Sequence, residues 1–409
     1  MKKNISTQNN HKIRIIYILK SLAQKAGLDR VIADKINYLV GLGYNISLVT
    51  YEQGQHPLSY HIHPSVKHYD LDTRFFALAK HPLFIRLYYF LKMKKDFRMK
   101  FRQIVRDTQP DIIITTTYSL KIAKELLKEK KNAKILIESH INYDSVLRQN
   151  DYNGMLKYFF KLYDKSNIKT LQKFDMLIAL TYCDAEQWKK SGINTKIIPN
   201  PVTDYPEIIE PNKSDFNRIL AVGRLNHQKG FDKLIEAFSL ISDEHPSWHI
   251  DIFGHGELQE ELQILINNKG LNNKITINPP KEDIYNEYLS SSFYVLSSSF
   301  EGLPLVLIEA MSCALPCVSF DCPYGPSEII ANGIDGLLVK NGDIKDLARK
   351  MDWMITHPKE RNEMALTARK NAERYKIDNI MRKWKSLFDT IIPQSFSPTT
   401  NFVYNYESE

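Results

Sequence analysis

Phe300-Glu301-Gly302-Leu303-Pro304-Leu305-Val306-Leu307-Ile308-Glu309-Ala310-Met311 follows the short apolar run Phe293–Leu296. An apolar run, a Gly-Leu-Pro break and a second apolar stretch read as strand, loop and helix. Pro304 suits the first turn of that helix, where a missing N–H costs nothing. The free backbone N–H groups between Gly302 and Val306 would then point at an anion. Glu309 sits more than a turn into the helix, where a carboxylate can hold a ribose diol. Glu301 precedes the helix, where it can meet the rest of the same ligand.

A second unit of this kind lies upstream. The run Arg218–Val222 leads into Gly223-Arg224-Leu225-Asn226-His227-Gln228-Lys229-Gly230 and then an amphipathic stretch over Phe231–Phe238. Two glycines allow close backbone approach, and Arg224 and Lys229 can neutralise diphosphate oxygens. Taken alone, the segment also fits a solvated basic loop.

The alternation extends along the whole chain. Strands are predicted at Ile13–Leu19, Ile46–Tyr51, Ile112–Thr115, Lys134–Glu138, Met176–Leu180 and Ile197-Ile198, then Arg218–Val222, His249–Phe253, Lys274–Ile277, Phe293–Leu296, Cys317–Ser319 and Gly336–Val339. Amphipathic stretches of helical period separate most of them, which implies parallel sheets covered on both faces. At about 150 residues per domain, 409 residues make two or three domains. Charge divides the chain too. Residues 1–200 hold 34 Lys and Arg against 17 Asp and Glu, and the remainder 21 against 30, for a net charge of +8. The fold class is therefore α/β: two doubly wound Rossmann-like domains facing across a cleft, residues 1–198 and 199–375, joined at Ile198-Pro199-Asn200-Pro201-Val202. A helix over 376–392 is expected to cross back to the first domain, and a disordered tail is expected over 393–409. Ligands of such sheets bind at the C-terminal ends of the strands, at the switch point.

These motifs, with Asp321-Cys322-Pro323-Tyr324-Gly325-Pro326-Ser327-Glu328 and Asn332-Gly333-Ile334-Asp335-Gly336-Leu337-Leu338-Val339, resemble the retaining glycosyltransferases of family 4, of GT-B fold. Bacterial members that build surface polysaccharides are especially similar. The resemblance runs from about residue 13 to 390 and is strongest in the second half. It implies that Arg224 and Lys229 bind the diphosphate of a nucleotide sugar and that Glu309 holds the ribose. Glu301 would contact the donor sugar, and Gly302, Leu303, Pro304, Leu305 and Val306 would meet sugar and phosphate through the backbone. Gly27, in Ala26-Gly27-Leu28, stands where the family usually has two glycines and would open the first loop towards the phosphates. His140 follows the strand Lys134–Glu138. As a lone histidine it reads as structural, but such enzymes place a histidine there to contact the donor sugar. Glu138 is the alternative polar residue of the cleft. Gly254-His255-Gly256 matches a loop near the donor.

Other features are given plainer readings. Gly41-Leu42-Gly43 is a turn at a helix end. His56, His61, His63 and His68 lack accompanying ligands and read as strand-and-loop surface. Asp70-Leu71-Asp72 spells a metal-binding D-x-D but lies far from the donor motifs. No metal or other cofactor is expected, because Arg224, Lys229 and the helix N-terminus would carry the charge of the leaving diphosphate. Cys183, Cys313, Cys317 and Cys322 lack a zinc spacing and read as buried reduced thiols. No apolar run approaches the roughly 20 residues of a membrane span.

The basic excess concentrates in two segments. One is Leu78–Arg106, where Lys80, Arg86, Lys92, Lys94, Lys95, Arg98, Lys100, Arg102 and Arg106 interleave with Phe84, Tyr88, Tyr89, Phe90, Leu91, Phe97 and Phe101. The other is Leu156–Lys169. Such segments fit an anionic leaflet, at ~1 kcal/mol per basic residue near the surface, or a core-facing helix with a solvated basic face. No nucleic-acid module is recognisable. The expected protein is thus cytoplasmic and peripheral to the inner membrane face. It would move a hexose or N-acetylhexosamine from a nucleotide sugar, UDP-linked, to a lipid-linked or glycan acceptor. Alternatives are a nucleotide-sugar epimerase or phosphorylase on the same fold, or a non-catalytic glycan- or lipid-binding relic.

Overall fold

The structure is a computed structural model. It describes residues 12–23, 27–80, 82–147, 155–203, 205–207, 216–281 and 283–392. The expectation for the tail at 393–409 lies outside them.

Two parallel sheets organise the chain. The first contains β1 (Arg14–Leu19), β2 (Asn45–Thr50), β3 (Lys67–Asp70), β4 (Ile112–Thr116), β5 (Lys134–Ser139), β6 (Met176–Ala179) and β7 (Thr195–Ile197). The second contains β8 (Arg218–Val222), β9 (His249–Phe253), β10 (Ile275–Asn278), β11 (Phe293–Leu296), β12 (Cys317–Asp321) and β13 (Gly336–Lys340). The strand orders are β3-β2-β1-β4-β5-β6-β7 and β10-β9-β8-β11-β12-β13. Each order reverses once, between β1 and β4 and between β8 and β11, so each sheet has a switch point at its centre.

Burial on both faces explains the near-continuous apolar strands. In β1, Ile15, Tyr17 and Leu19 face a core shared with the helices Gly27–Gly41 and Ile377–Ile391. Ile16 and Ile18 face the opposite core, which contains Phe97 and Phe101 of the helix Leu83–Thr108 and Leu126 of the helix Leu120–Glu129. The chain passes between the sheets twice, side by side, and the Val202 N–H donates to the Tyr375 carbonyl at 2.9 Å. After that second passage the helix Ile377–Ile391 buries Ile380, Met381, Trp384, Leu387 and Phe388 against the first sheet.

Several expectations need correction. The short edge strand β3 has no counterpart among the predicted strands. Pro304 is not inside the helix but caps it, and the helix spans Leu305–Ser312. Cys183 is exposed, while Cys313, Cys317 and Cys322 are buried. Asp70 does local work: its carboxylate accepts from the Gly54 N–H at 3.0 Å, and Asp72 pairs with Arg74.

Candidate active site

The loops at the C-terminal ends of β1, β4, β5, β8, β11 and β12 converge between the sheets. On the second sheet, the turn after β8 is held by backbone shape. Gly230 adopts φ +60° at the start of the helix Phe231–Ser239, and a Cβ there would lie 2.3 Å from the Ser297 carbonyl oxygen. At Gly254, after β9, a Cβ would come within 1.9 Å of the Gly223 carbonyl oxygen. Only glycine lets these loops close on one another.

That closure places Lys229 next to the helix Leu305–Ser312. Its Nζ donates to Glu301 Oε1 at 2.7 Å, and both side chains are largely buried. The two residues assigned to diphosphate and sugar thus form one ion pair, and a bound diphosphate would compete with Glu301 for the ammonium. The amides of Leu305 and Val306 open the helix and have no intrahelical acceptors. Within the helix, Glu309 Oε2 accepts from the Tyr288 hydroxyl at 3.1 Å. Burial first, and Glu309 second, push the Tyr288 phenol well above its ordinary pKa, so it remains a donor at neutral pH. Arg224 is exposed on its loop. It faces Tyr118 across the cleft, and its charge opposes the rise that burial imposes on that phenol. Cys322 is no thiolate: burial and Glu301 push it up to about 12.

The first sheet supplies the turn after β5. Asn142 Nδ2 donates to the Glu301 carbonyl at 3.0 Å. The His140 carbonyl oxygen lies against Gly302, 3.3 Å from where a Cβ would stand. Gly27 opens the helix Gly27–Gly41 and faces Leu305, whose Cδ1 is 3.8 Å from a Cβ at that position. Two more contacts join the halves. The Tyr324 hydroxyl donates to Asp144 Oδ2 at 2.8 Å. Glu328 accepts from the Tyr182 and Cys183 N–H groups at 2.5 and 2.8 Å, capping the helix Tyr182–Lys190 from the other side of the cleft.

His140 does not present its ring to open space. Its side chain is 3% exposed, with Nε2 3.0 Å from Glu138 Oε2. The approach is off the axis of a hydrogen bond, so Nε2 closes none. Glu138 is not the polar cleft residue: it is buried and bonded to Lys35 Nζ at 2.6 Å. Lys35, Asn142 and Tyr288 escaped the sequence reading, and Tyr324 and Glu328 were read there only as part of a motif, because each acts through a partner distant in the chain.

Two family models divide the sequence. One, described as Glycosyltransferase Family 4, matches residues 26–204, and the other, Glycosyl transferases group 1, matches residues 205–371. The chain belongs to the group 1 and family 4 glycosyltransferases. This glycosyltransferase is 27% identical over 382 residues to an uncharacterized glycosyltransferase of Haemophilus influenzae, covering 91% of this chain and 99% of the relative. It is 23% identical to an alpha-1,4-N-acetyl-D-galactosaminyltransferase of Campylobacter jejuni, covering 92% and 98%. That relative's name specifies an acceptor glycan on undecaprenol diphosphate. Among solved structures, S. aureus TarM in complex with UDP and alpha-GlcNAc-glycerol has the same fold, with a TM-score of 0.72 and 17% identity over 92% of this chain and all of TarM. The matched families are transferases, which disfavours the epimerase alternative. No helix among the described residues is long and apolar enough to cross a membrane.

Proposed function

We propose that this glycosyltransferase moves a hexose or N-acetylhexosamine from a UDP-sugar to a lipid-linked or glycan acceptor in bacterial surface-glycan synthesis, with retention and without a metal ion. The observation that carries the reading is the Lys229–Glu301 pair at the mouth of the helix Leu305–Ser312, with Arg224 and Glu309 nearby in the fold. It supplies two cations and a helix N-terminus for a diphosphate, and a carboxylate for a ribose. The UDP in the TarM complex and the polyprenyl-linked acceptor in the name of the Campylobacter relative support donor and acceptor classes.

The chemistry follows from where charge develops. As the bond between the anomeric carbon and the phosphoryl oxygen breaks, the sugar becomes oxocarbenium-like and the diphosphate gains charge. Arg224, Lys229 and the backbone amides stabilise the leaving group, which is the work a metal does elsewhere. The acceptor oxygen attacks from the same face, and its proton passes to the departing phosphate oxygen. Glu301 is a poor nucleophile while Lys229 holds it. His140, buried beside Gly302, shapes the sugar-facing wall rather than entering the chemistry.

Exposed Ile85, Leu87, Tyr88 and Leu91, with Tyr158, Leu162 and Tyr163 on the helix Met155–Leu171, support contact with an anionic leaflet on the cytoplasmic side. The test is a panel of nucleotide sugars, assayed for hydrolysis and transfer with and without EDTA. UDP release from a UDP-sugar, undiminished by EDTA, is expected. Turnover confined to another nucleotide, or dependent on a divalent cation, would overturn the reading.

A further inference from the structure

Behind the turn that meets the donor loop lies a buried ionic cluster with no obvious structural need. Lys35, in the helix Gly27–Gly41, and Glu138, in β5, are each 1% exposed at the side chain and joined at 2.6 Å. Trp384, on the helix Ile377–Ile391, covers the Lys35 ammonium, with 4.1 Å from Nζ to the ring centroid. Glu138 Oε2 then faces His140 Nε2 at 3.0 Å, while His140 Nδ1 lies 3.4 Å from Asn200 Nδ2 in the inter-sheet segment. Two residues on, Asn142 grips the Glu301 carbonyl.

We propose that Lys35 and Glu138 are positioning residues: their buried ion pair keeps the Glu138 carboxylate packed against the His140 ring and so holds the turn 139–142 in place against Gly302 and Glu301. A buried carboxylate must find its counter-charge nearby. Here Lys35 provides it, and the other edge of the His140 ring, Nδ1, lies against the Asn200 amide. Burial works against both charges of the pair, lowering Lys35, but Lys35 and His140 together draw Glu138 down to about 2, so it is ionised at neutral pH. Besides Lys35 itself, the charged or titratable groups facing Glu138 and His140 are Tyr17 from β1 and Asp184, which acts through Ser139. None of these can replace Lys35 as a cation. The inference rests on the donor site proposed above, because the turn matters to catalysis only if Glu301 and Gly302 meet the donor sugar.

The test compares Lys35→Met, Glu138→Gln and the double variant Lys35→Met/Glu138→Gln, using purified full-length protein and UDP-sugar hydrolysis. Lys35→Met leaves Glu138 buried without its main counter-charge, so burial pushes its carboxyl up. The melting temperature should therefore fall as pH rises above the ordinary carboxylate value of ~4.3. Adding Glu138→Gln to Lys35→Met should remove that dependence, because the buried carboxyl that must ionise is gone. The double variant removes both charges of the pair and should melt within a few degrees of wild type. Its kcat should nevertheless stay at least tenfold below wild type, with the donor KM little changed, because His140 has lost its anchor. A double variant with wild-type kcat, or a Lys35→Met variant whose stability ignores pH above the ordinary carboxylate value, would overturn the proposal. If the wild-type protein turns over no UDP-sugar, the donor reading fails instead, and the pH dependence of Lys35→Met still tests the cluster.

Discussion

Lys229 bears the heaviest load of any single side chain in this account. Replacing it by Ala removes a cation from the leaving group and frees Glu301, so kcat should drop ~10²–10³-fold, measured as UDP release at saturating donor. Tyr288→Phe asks less of the enzyme. It deletes one hydrogen bond to Glu309, about 1 kcal/mol, and should raise the donor KM roughly fivefold at unchanged kcat. Asp184 gives a pH test. Burial pushes its carboxyl up to about 6, against bonds from the Tyr143 N–H and Trp188 Nε1–H. A carboxyl raised above its unfolded value of ~3.9 stabilises the fold below that pH and stops doing so as pH rises through about 6. Asp184→Asn should gain melting temperature relative to wild type between pH 4 and 7, and a constant difference would contradict the assignment. Residue identities at the donor loop were readable because Gly-Leu-Pro between two glutamates has few uses. The pairings were not readable. Lys229 and Glu301 are 72 residues apart, and Lys35 and Glu138 are 103 apart. Only the order of the strands, which sets neighbouring loops and helices side by side, brings them together. The same arrangement turned His140 inward, whereas its place at a strand end had pointed it to the cleft.

The helix Leu83–Thr108 shows what a basic aromatic segment becomes once folded. Phe97 and Phe101 enter the core. Lys94, Arg98 and Arg102 turn to Glu125 and Glu129 of the neighbouring helix, so part of the apparent positive charge is neutralised within the protein. Of its exposed apolar residues, Ile85, Leu87, Tyr88 and Leu91 lie in the first turns and Met99 further along. Leu87→Ser with Leu91→Ser should abolish co-sedimentation with vesicles containing anionic lipid and leave soluble-acceptor activity intact. Binding that survives the pair, or a wild-type protein that does not co-sediment, would contradict the proposed membrane contact. Strand positions were legible to within one or two residues because apolar runs buried on both faces announce themselves. The strand β3 did not, since its Lys67-His68-Tyr69-Asp70 lies at the sheet edge with mostly exposed side chains. Pro304 sits one position before its expected place, the usual uncertainty of a helix end.

Two sheets with matching strand orders, crossed twice by the chain at one point, make a molecule whose halves share a cleft and a last helix. Trp384 lies deep in that helix's contact with the first sheet, so Trp384→Ala should destabilise the protein by about 3–5 kcal/mol, read from denaturant unfolding. The charge division seen in the composition now has structural content. The acidic second half keeps Arg224 and Lys229 at its switch point, and the basic first half carries the exposed helical surface. The central claim is that this cleft performs transfer with retention from a UDP-sugar. The most direct test is the NMR coupling constant of the anomeric proton in the first-formed product, made from an α-linked UDP-sugar in the presence of EDTA. An α-linked product, absent when Lys229 is Ala, is the expected result. A β-linked product would contradict the account.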